Sequence, residues 1–180
     1  HQGSDLRILV DSWGGNDFYM DLNESTASGR TRFRGKFQEA EAINKNKRMY
    51  PFNILDENVK RLISEIGQGG LIGECDHPEN SIVHLKEASH KITKLYWEGN
   101  VLMGEGEILS TPYGKTLKAL ISDGVRVGIS SRGVGNGKVN EDGVLVIGES
   151  YKLITFDAVA DPSTHQAYQK EIVGKKSESV

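Results

Sequence analysis

Short apolar runs separated by glycine-rich turns constrain the fold of this chain more than any other feature. The 180 residues include 21 glycines but only 4 prolines, and glycine accepts the backbone conformations that tight turns require. Two of the runs, Lys91 to Trp97 and Val101 to Leu109, flank Glu98-Gly99-Asn100, which predicts a β-hairpin. The other predicted strands are Arg7 to Val10, Arg30 to Ile43, Val125 to Ser130, Val144 to Ile147 and Lys152 to Ala160.

Two further segments have the pattern of helices. Apolar residues recur at helical spacing from Ile54 to Ile66, and Asn53 or Asp56 can cap that segment. A second helix is predicted from Pro112 to Ser122, because proline suits the first helical position. Six or seven strands with two helices predict a mainly β, α+β fold, in which a small β-barrel or curled sheet carries flanking helices.

The composition is typical of one globular domain. With 37% hydrophobic and 26% charged residues and no linker or repeat, we expect a single domain over residues 1–180, with disordered ends at 1–6 and 170–180. The polar stretch Gly14 to Gly29 predicts a mobile loop. A net charge of −3 argues against a nucleic-acid or membrane-surface partner, and no apolar run approaches the ~20 residues of a membrane span. The single Cys75 cannot form an internal disulfide and fits a reducing cytoplasm.

The segment Gly128 to Gly133 carries the clearest chemical signal. It ends an apolar run and presents two hydroxyls, those of Ser130 and Ser131. A serine nucleophile at a strand end can be paired with a histidine from elsewhere in the chain. Serines in such positions also form ordinary turns, so the segment alone leaves both interpretations open.

Asp157 and His77 are the candidate partners of such a serine. Asp157 interrupts an otherwise apolar strand, and a buried carboxylate needs a hydrogen-bonding or cationic partner. That partner can be structural, such as an arginine or backbone amides, or it can be a histidine that the carboxylate orients. His77 precedes Pro78, which holds it extended; a structural role for this histidine is the alternative.

Other chemistries fit the sequence less well. Cys75, His77, His84 and His90 do not match a zinc spacing, so we expect no metal. Cys75 lies two residues from His77, which gives poor geometry for attack as a nucleophile. The segment Gly133 to Gly137 lacks the Lys-Ser/Thr of a phosphate-binding loop, and we interpret it as a flexible loop.

Six segments follow one another along the chain in a characteristic order: Glu39 to Pro51, Gly73 to Pro78, Tyr96 to Asn100, Asp123 to Val125, Gly128 to Gly135, and Phe156 to Val159 with Pro162-Ser163. Together they resemble the prohead core proteases of large contractile-tailed phages. The resemblance spans roughly residues 7 to 165, and that family is similar in architecture to herpesvirus assemblin, a β-barrel serine protease flanked by helices.

The resemblance implies specific roles for the candidate residues. It implies that Ser130 is the nucleophile and that His77 is the base. Asp157 matches the aspartate of the family's Asp-Ala-Val segment and is the expected third member. Assemblins use a second histidine instead, which leaves His165 as an alternative.

We expect the oxyanion to be bound by backbone amides around Arg132 and Gly133, because glycine lets the main chain approach closely. The Arg132 side chain can pair with a substrate or structural carboxylate, or form an ion pair at the surface or sheet edge.

The resemblance also implies the biological setting. A serine endopeptidase of this kind acts inside the immature head, in the host cytoplasm, on phage scaffold, core and capsid proteins. It cleaves after glutamate in a Leu/Ile-x-Glu sequence, before a small residue. We expect a homo-oligomer with no cofactor. The alternatives are a non-catalytic prohead scaffold or core protein on the same barrel, and a small-ligand or peptide-binding barrel.

Recognition of a substrate glutamate needs a cationic or donor-rich pocket, for which Arg132, Arg126 and Lys152 are candidates in that order.

The implied cleavage pattern also occurs within this chain, which predicts self-cleavage first after Glu24 and then after Glu87. The matching segments are Leu22 to Ser25, Leu85 to Ala88 and Ile147 to Ser150.

Overall fold

The computed structural model describes residues 6–13, 18–25 and 29–160. In this part of the chain, four strands precede the first of two α-helices, three strands lie between the helices, and four strands follow the second helix. The elements are β1 (Arg7–Ser12), β2 (Phe18–Ser25), β3 (Thr31–Glu39), β4 (Arg48–Met49), α1 (Phe52–Gly67), β5 (Ile72–Glu74), β6 (Ala88–Glu98), β7 (Val101–Ile108), α2 (Pro112–Ser122), β8 (Val127–Gly135), β9 (Gly137–Val139), β10 (Leu145–Ile147) and β11 (Lys152–Ala160).

The predicted hairpin forms the centre of a five-stranded sheet. β6 and β7 pair antiparallel from Glu98 and Val101 outward, and Gly99 turns the chain with a φ of 61°. The sheet order is β2-β3-β7-β6-β5, and all neighbours are antiparallel. The hairpin prediction is therefore confirmed, and β5 lies at one edge of the sheet.

A second sheet, of three strands, carries the predicted serine segment. Its order is β1-β8-β11, so β8 lies between two antiparallel neighbours. A small third sheet has the order β4-β10-β9. The described strands form open sheets, and a parallel bridge between Cys75 and Ala158 joins β5 to β11. The predicted α+β class is confirmed, and the open sheets match a curled sheet better than a closed barrel.

Both helices form where the sequence predicts them. In α1, the apolar residues that recur at helical spacing pack into the hydrophobic core, where Leu55, Val59 and Leu62 are buried. The predicted caps are wrong, because Pro51 holds the N-cap position without a side-chain hydrogen bond. At α2, Thr111 Oγ1 accepts a hydrogen bond from the Gly114 amide at 3.1 Å. None of the helices in the described residues is long and apolar enough to span a membrane.

Two segments predicted as loops are partly strands. Phe18–Ser25, within the predicted loop, is a strand that pairs with β3. The sequence of this segment alone does not indicate that pairing. The predicted flexible loop from Gly133 begins as the end of β8 and continues into β9. At Gly133 a Cβ would lie 2.5 Å from the Tyr151 ring, so glycine serves close packing here. The predicted disordered ends, apart from Leu6, lie outside the described residues.

Candidate active site

Ser130 and Asp157 are brought together by the pairing of β8 with β11. They lie directly opposite each other in the antiparallel register, and both are buried. Residues opposite each other across an antiparallel pair project to the same face of the sheet. The strand register therefore places a hydroxyl beside a carboxylate on one face of the sheet.

His77 reaches the same place from the end of β5. The chain turns at Asp76, which has a φ of 70°, and the Asp76 amide donates to the Ala158 carbonyl at 2.7 Å. With the bridge between Cys75 and Ala158, this bond fixes the chain before His77 to β11. The imidazole thus lies over the β8–β11 pair, and 21% of its side chain is exposed.

The three side chains form a continuous chain of hydrogen bonds. His77 Nε2 lies 2.8 Å from Ser130 Oγ, and His77 Nδ1 lies 2.8 Å from Asp157 Oδ2. When the ring proton is on Nδ1, that nitrogen donates to Asp157 and Nε2 accepts from the Ser130 hydroxyl. Such an arrangement can move a proton from the serine to the histidine. The alternative third residue, His165, lies outside the described residues.

The surroundings of Asp157 keep its carboxylate charged. Burial by itself raises the pKa of Asp157, but hydrogen bonds from His77 and Arg132 and the Arg132 charge outweigh it, so the pKa lies below the usual value. The Glu74 amide also donates to Oδ1, at 3.0 Å. Asp157 thus contacts an arginine and a backbone amide, as the structural interpretation predicts, and it also contacts a histidine, as the functional interpretation predicts.

Arg132 is the partner that the sequence left open. Its side chain is 0% exposed, its Nε donates to Asp157 Oδ2 at 2.8 Å, and its Nη2 donates to Asp157 Oδ1 and to Glu74 Oε2, each at 3.1 Å. Its Nη1 donates to the carbonyls of Asn80 and Ile82. Of the alternatives considered, pairing with structural carboxylates is the one observed. Burial leaves this guanidinium no surface for a substrate glutamate.

The backbone of Arg132 and Gly133 differs from what we expected of an oxyanion site. Arg132 pairs with Val10 and Thr155 on its two sides, and Gly133 pairs with residues of the same two strands. Amides in a middle strand are directed along the sheet toward its neighbours. An oxyanion donor must instead be aimed at the reacting atom, so this placement does not favour the expected role.

Ser131 points away from the site. It is buried on the opposite face of β8, where its Oγ accepts from Gln38 Nε2 at 3.0 Å and donates to the Asp11 carbonyl at 3.3 Å. Adjacent residues of a strand project to opposite faces. Ser131 is therefore adjacent to Ser130 in the sequence but lies in a separate environment.

Cys75 and His90 do not have the properties of reactive groups. Desolvation raises the pKa of the Cys75 thiol, which favours the unreactive protonated form. His90 is fully buried between Ser89 Oγ and the Phe156 carbonyl, each 2.8 Å from a ring nitrogen. Desolvation lowers the pKa of His90, so it is a neutral histidine of the core.

Among the described residues, one group of side chains has the donor types and the spacing to ligate a metal, and it differs from the cysteine and histidine set in the sequence. It consists of Glu74, His84 and Glu87, whose ligand atoms lie within 4.8 Å of one another. Glu74 Oε2 already accepts from Arg132 and from the His84 amide, at 3.1 and 3.0 Å. Glu74 itself was missed by the sequence reasoning. The signal available there was only its place beside His77 in the Gly73 to Pro78 motif.

The chain is similar to known proteins over most of its length. The family model described as prohead core protein serine protease matches residues 21–178. The prohead core protein protease of Enterobacteria phage T4 is 35% identical over a match of 138 residues, with 74% of this chain and 65% of that protein covered. The chain thus spans slightly less than two thirds of this relative. The solved structure of the bacteriophage T4 capsid assembly protease matches with a TM-score of 0.76 at 30% identity, covering 86% of this chain and 98% of the other. The chain belongs to the prohead core protein serine protease family.

Proposed function

We propose that this protein is a serine endopeptidase in which Ser130 is the nucleophile, His77 the general base and Asp157 the residue that orients the base. The observation that carries this proposal is the unbroken hydrogen-bond chain from Asp157 through His77 to Ser130, with 2.8 Å at each step. Ser130 is held within reach of its base before any substrate binds.

The chemistry follows from the positions of the protons. Ser130 Oγ attacks the carbonyl carbon of the scissile bond while His77 Nε2 takes the hydroxyl proton. The charged Asp157 stabilises the imidazolium that forms and keeps the ring proton on Nδ1. His77 then donates the proton to the leaving amine, which breaks the C–N bond and leaves an acyl group on Ser130. Water, activated by His77 in the same way, releases that acyl group.

The proposed substrates are phage core, scaffold and capsid proteins, cleaved inside the prohead in the host cell. The family is named for the prohead core, and the two T4 relatives are called a prohead core protein protease and a capsid assembly protease. These names, with membership in the family, support the same setting for this chain. We also propose that the chain acts as a homo-oligomer, without a nucleic-acid or membrane partner.

We further propose cleavage after glutamate. The burial of one candidate arginine changes the order of the residues proposed to bind the glutamate side chain. Arg132 is excluded, since it is buried and paired with carboxylates. Lys152 lies five residues from Asp157 on β11, about 17 Å at strand spacing, beside a cleft of about 570 Å³ that also contacts Arg61. Arg126 is exposed and precedes β8, about 13 Å from Ser130. Arg126 is therefore the better candidate.

The variant Arg126→Glu tests this assignment. It should weaken cleavage after Glu more than cleavage after Gln, and equal losses would argue against Arg126 as the residue that binds the glutamate.

Two single variants, in which one or the other of two adjacent serines is replaced, test the proposal. A peptide with Leu-x-Glu before Ala is the substrate, and a fluorophosphonate is the covalent probe. Ser130→Ala should lose both hydrolysis and labelling, whereas the matched control Ser131→Ala should keep both. If the two variants behave alike, or if the wild-type protein neither cleaves nor reacts, the proposal is wrong. The second result would favour the alternative of a non-catalytic core protein.

A further inference from the structure

Three buried charged groups lie in contact behind His77. Asp157 and Arg132 are each 0% exposed and Glu74 is 1% exposed. Arg132 bridges the two carboxylates, at 2.8 and 3.1 Å to the oxygens of Asp157 and at 3.1 Å to Glu74 Oε2. The contact between Asp157 and His77 requires one carboxylate; Glu74 is a second one that the serine-protease steps do not use.

The charges of this cluster do not balance by themselves. Two carboxylates and one guanidinium leave one negative charge in excess, in a place that water does not reach. Buried charges are costly unless partners compensate them. When His77 takes a proton, the imidazolium supplies the missing positive charge next to Asp157. Glu74 therefore makes the cluster favour the protonated form of His77, which is the form produced when Ser130 loses its proton.

We propose that Glu74 and Arg132 are positioning residues that act through Asp157, with Glu74 supplying the charge and Arg132 the rigid geometry that favour proton uptake by His77. This inference rests on the proposed serine-protease function, since it concerns the base of that reaction.

The same two residues also fix the groups on either side of His77. The Glu74 amide donates to Asp157 Oδ1 while its side chain accepts from Arg132. Arg132 Nη1 donates to the carbonyls of Asn80 and Ile82, at 3.2 and 2.8 Å. Those carbonyls belong to the segment that follows His77. Arg132 thus links the carboxylate of Asp157 to the backbone segment that follows His77.

Other titratable groups also face Glu74. His84 Nδ1 lies 3.5 Å from Glu74 Oε2, and about a third of the His84 side chain is exposed. Glu87, which is partly exposed, lies beside both. A protonated His84 would offset the charge of Glu74. The effect of Glu74→Gln on the pH profile is therefore measured both in the wild-type protein and in a His84→Asn background. A contribution that comes from Glu74 itself persists in both.

The decisive experiment compares two Glu→Gln changes on the full chain. Glu74→Gln keeps the shape and removes the buried charge, whereas the matched control Glu79→Gln removes an exposed charge two residues from His77. The acidic limb of the pH profile of kcat/KM reports the base losing its proton. Glu74→Gln should move this limb to lower pH by on the order of one unit and lower kcat about tenfold, with KM unchanged. Glu79→Gln should move neither.

Two further variants separate charge from geometry. Glu74→Asp keeps the charge but shortens the reach to Arg132, so kcat should fall while the limb stays in place. Arg132→Lys keeps the charge but cannot make the same fork of hydrogen bonds, so kcat should fall about a hundredfold. Folding of each variant is checked by thermal melting. If Glu74→Gln does not fold, Glu74→Asp carries the test, and an unchanged kcat in that variant overturns the inference.

The inference and the proposed function can fail separately. If Ser130→Ala abolishes hydrolysis but Glu74→Gln and Glu79→Gln give the same pH profile, the positioning role is wrong and the serine protease stands. If Ser130→Ala hydrolyses like the wild-type protein, the function is wrong. In that case NMR titration of the His77 ring in the Ser130→Ala background still tests the charge effect. Its midpoint should move to lower pH with Glu74→Gln, and an unmoved midpoint overturns the inference.

Discussion

Ser130 and Asp157 lie directly opposite each other on two adjacent antiparallel strands, β8 and β11. A shift of one residue in this register would turn one of the two side chains to the other face of the sheet. The pairing of β8 and β11 is therefore as important for the site as the identity of the residues. His77 completes the site from a third strand, through the turn that Cys75 and Asp76 hold against Ala158.

Asp157→Asn should lower kcat by about two to four decades. An asparagine can present its amide N–H to His77 Nδ1, which favours the ring tautomer that cannot accept the Ser130 proton. Steady-state hydrolysis of the Glu-containing peptide measures the loss, and circular dichroism shows whether the fold is kept. Activity within tenfold of the wild-type protein would contradict the role of Asp157.

Gly73→Ala should damage both stability and activity, because Gly73 allows β5 to approach β11. A Cβ at this position would lie 2.1 Å from the Phe156 carbonyl oxygen and 2.2 Å from His90 Nε2. Neither group can move away easily, since one is backbone and the other is in the core. We expect a loss of about 1–3 kcal/mol in the free energy of unfolding, and about a hundredfold in kcat because the chain leading to His77 is displaced.

Gly70→Ala is the matched control for that change. A Cβ at Gly70 meets nothing within 4 Å, and its φ lies outside the range that strains other residues. Urea unfolding and peptide hydrolysis of the two variants should therefore diverge. Equal effects would show that the approach of β5 to β11 is not the reason for the glycine at position 73.

The stability of the protein should fall as the pH drops below about 6.5, in part through His90. Desolvation lowers the pKa of His90 in the folded state, so the unfolded chain binds the proton more readily. Its contribution is thus complete above the unfolded pKa and is lost as the pH falls below that value. Urea unfolding from pH 8 to pH 5 should give a shallower loss for His90→Gln than for the wild-type protein. Parallel curves would exclude His90 as the source.

The parts of the fold that depend on local sequence were predictable, and the parts that depend on distant partners were not. The hairpin at Gly99 and the start of α2 at Thr111 are set by residues within a few positions of each other. The glycines from Gly133 onward indicate a loop locally, but Tyr151 packs against Gly133 and the strand continues. Strand β2 likewise depends on its pairing with β3.

The candidate site divides in the same way. The sequence shows Ser130 at the end of an apolar run, His77 before a proline and Asp157 inside an apolar strand, and the family resemblance connects the three. The connection between Glu74 and Arg132 could not be found, because it exists only after β5 packs beside β11 and β8. The same packing shows that Arg132 is unavailable to substrate, although as an isolated residue it was the first candidate for binding a glutamate.

Self-cleavage should begin after Glu24. The segment Leu22 to Ser25 lies on β2, an edge strand, and the register with β3 shifts between Asp21 and Ser25. An edge strand is paired on one side only, so it can detach and be bound as an extended substrate at less cost than an interior strand. The other two segments are less suited. Leu85 is 79% exposed, but Leu85–Glu87 forms a tight helical turn, and Ile147 is buried in β10.

Incubation of concentrated protein should therefore release a fragment that ends at Glu24 before any other, at a rate that rises with concentration because one molecule cleaves another. Cleavage after Glu87 should follow more slowly and end activity, since it separates His77 from Ser130. Mass spectrometry of the wild-type protein beside Ser130→Ala measures both. Glu24→Gln is the matched variant, and it should delay the first fragment without changing hydrolysis of the peptide. Identical fragments in wild type and Ser130→Ala would indicate a contaminating protease, and appearance of the Glu87 fragment first would show that edge-strand pairing does not set the order.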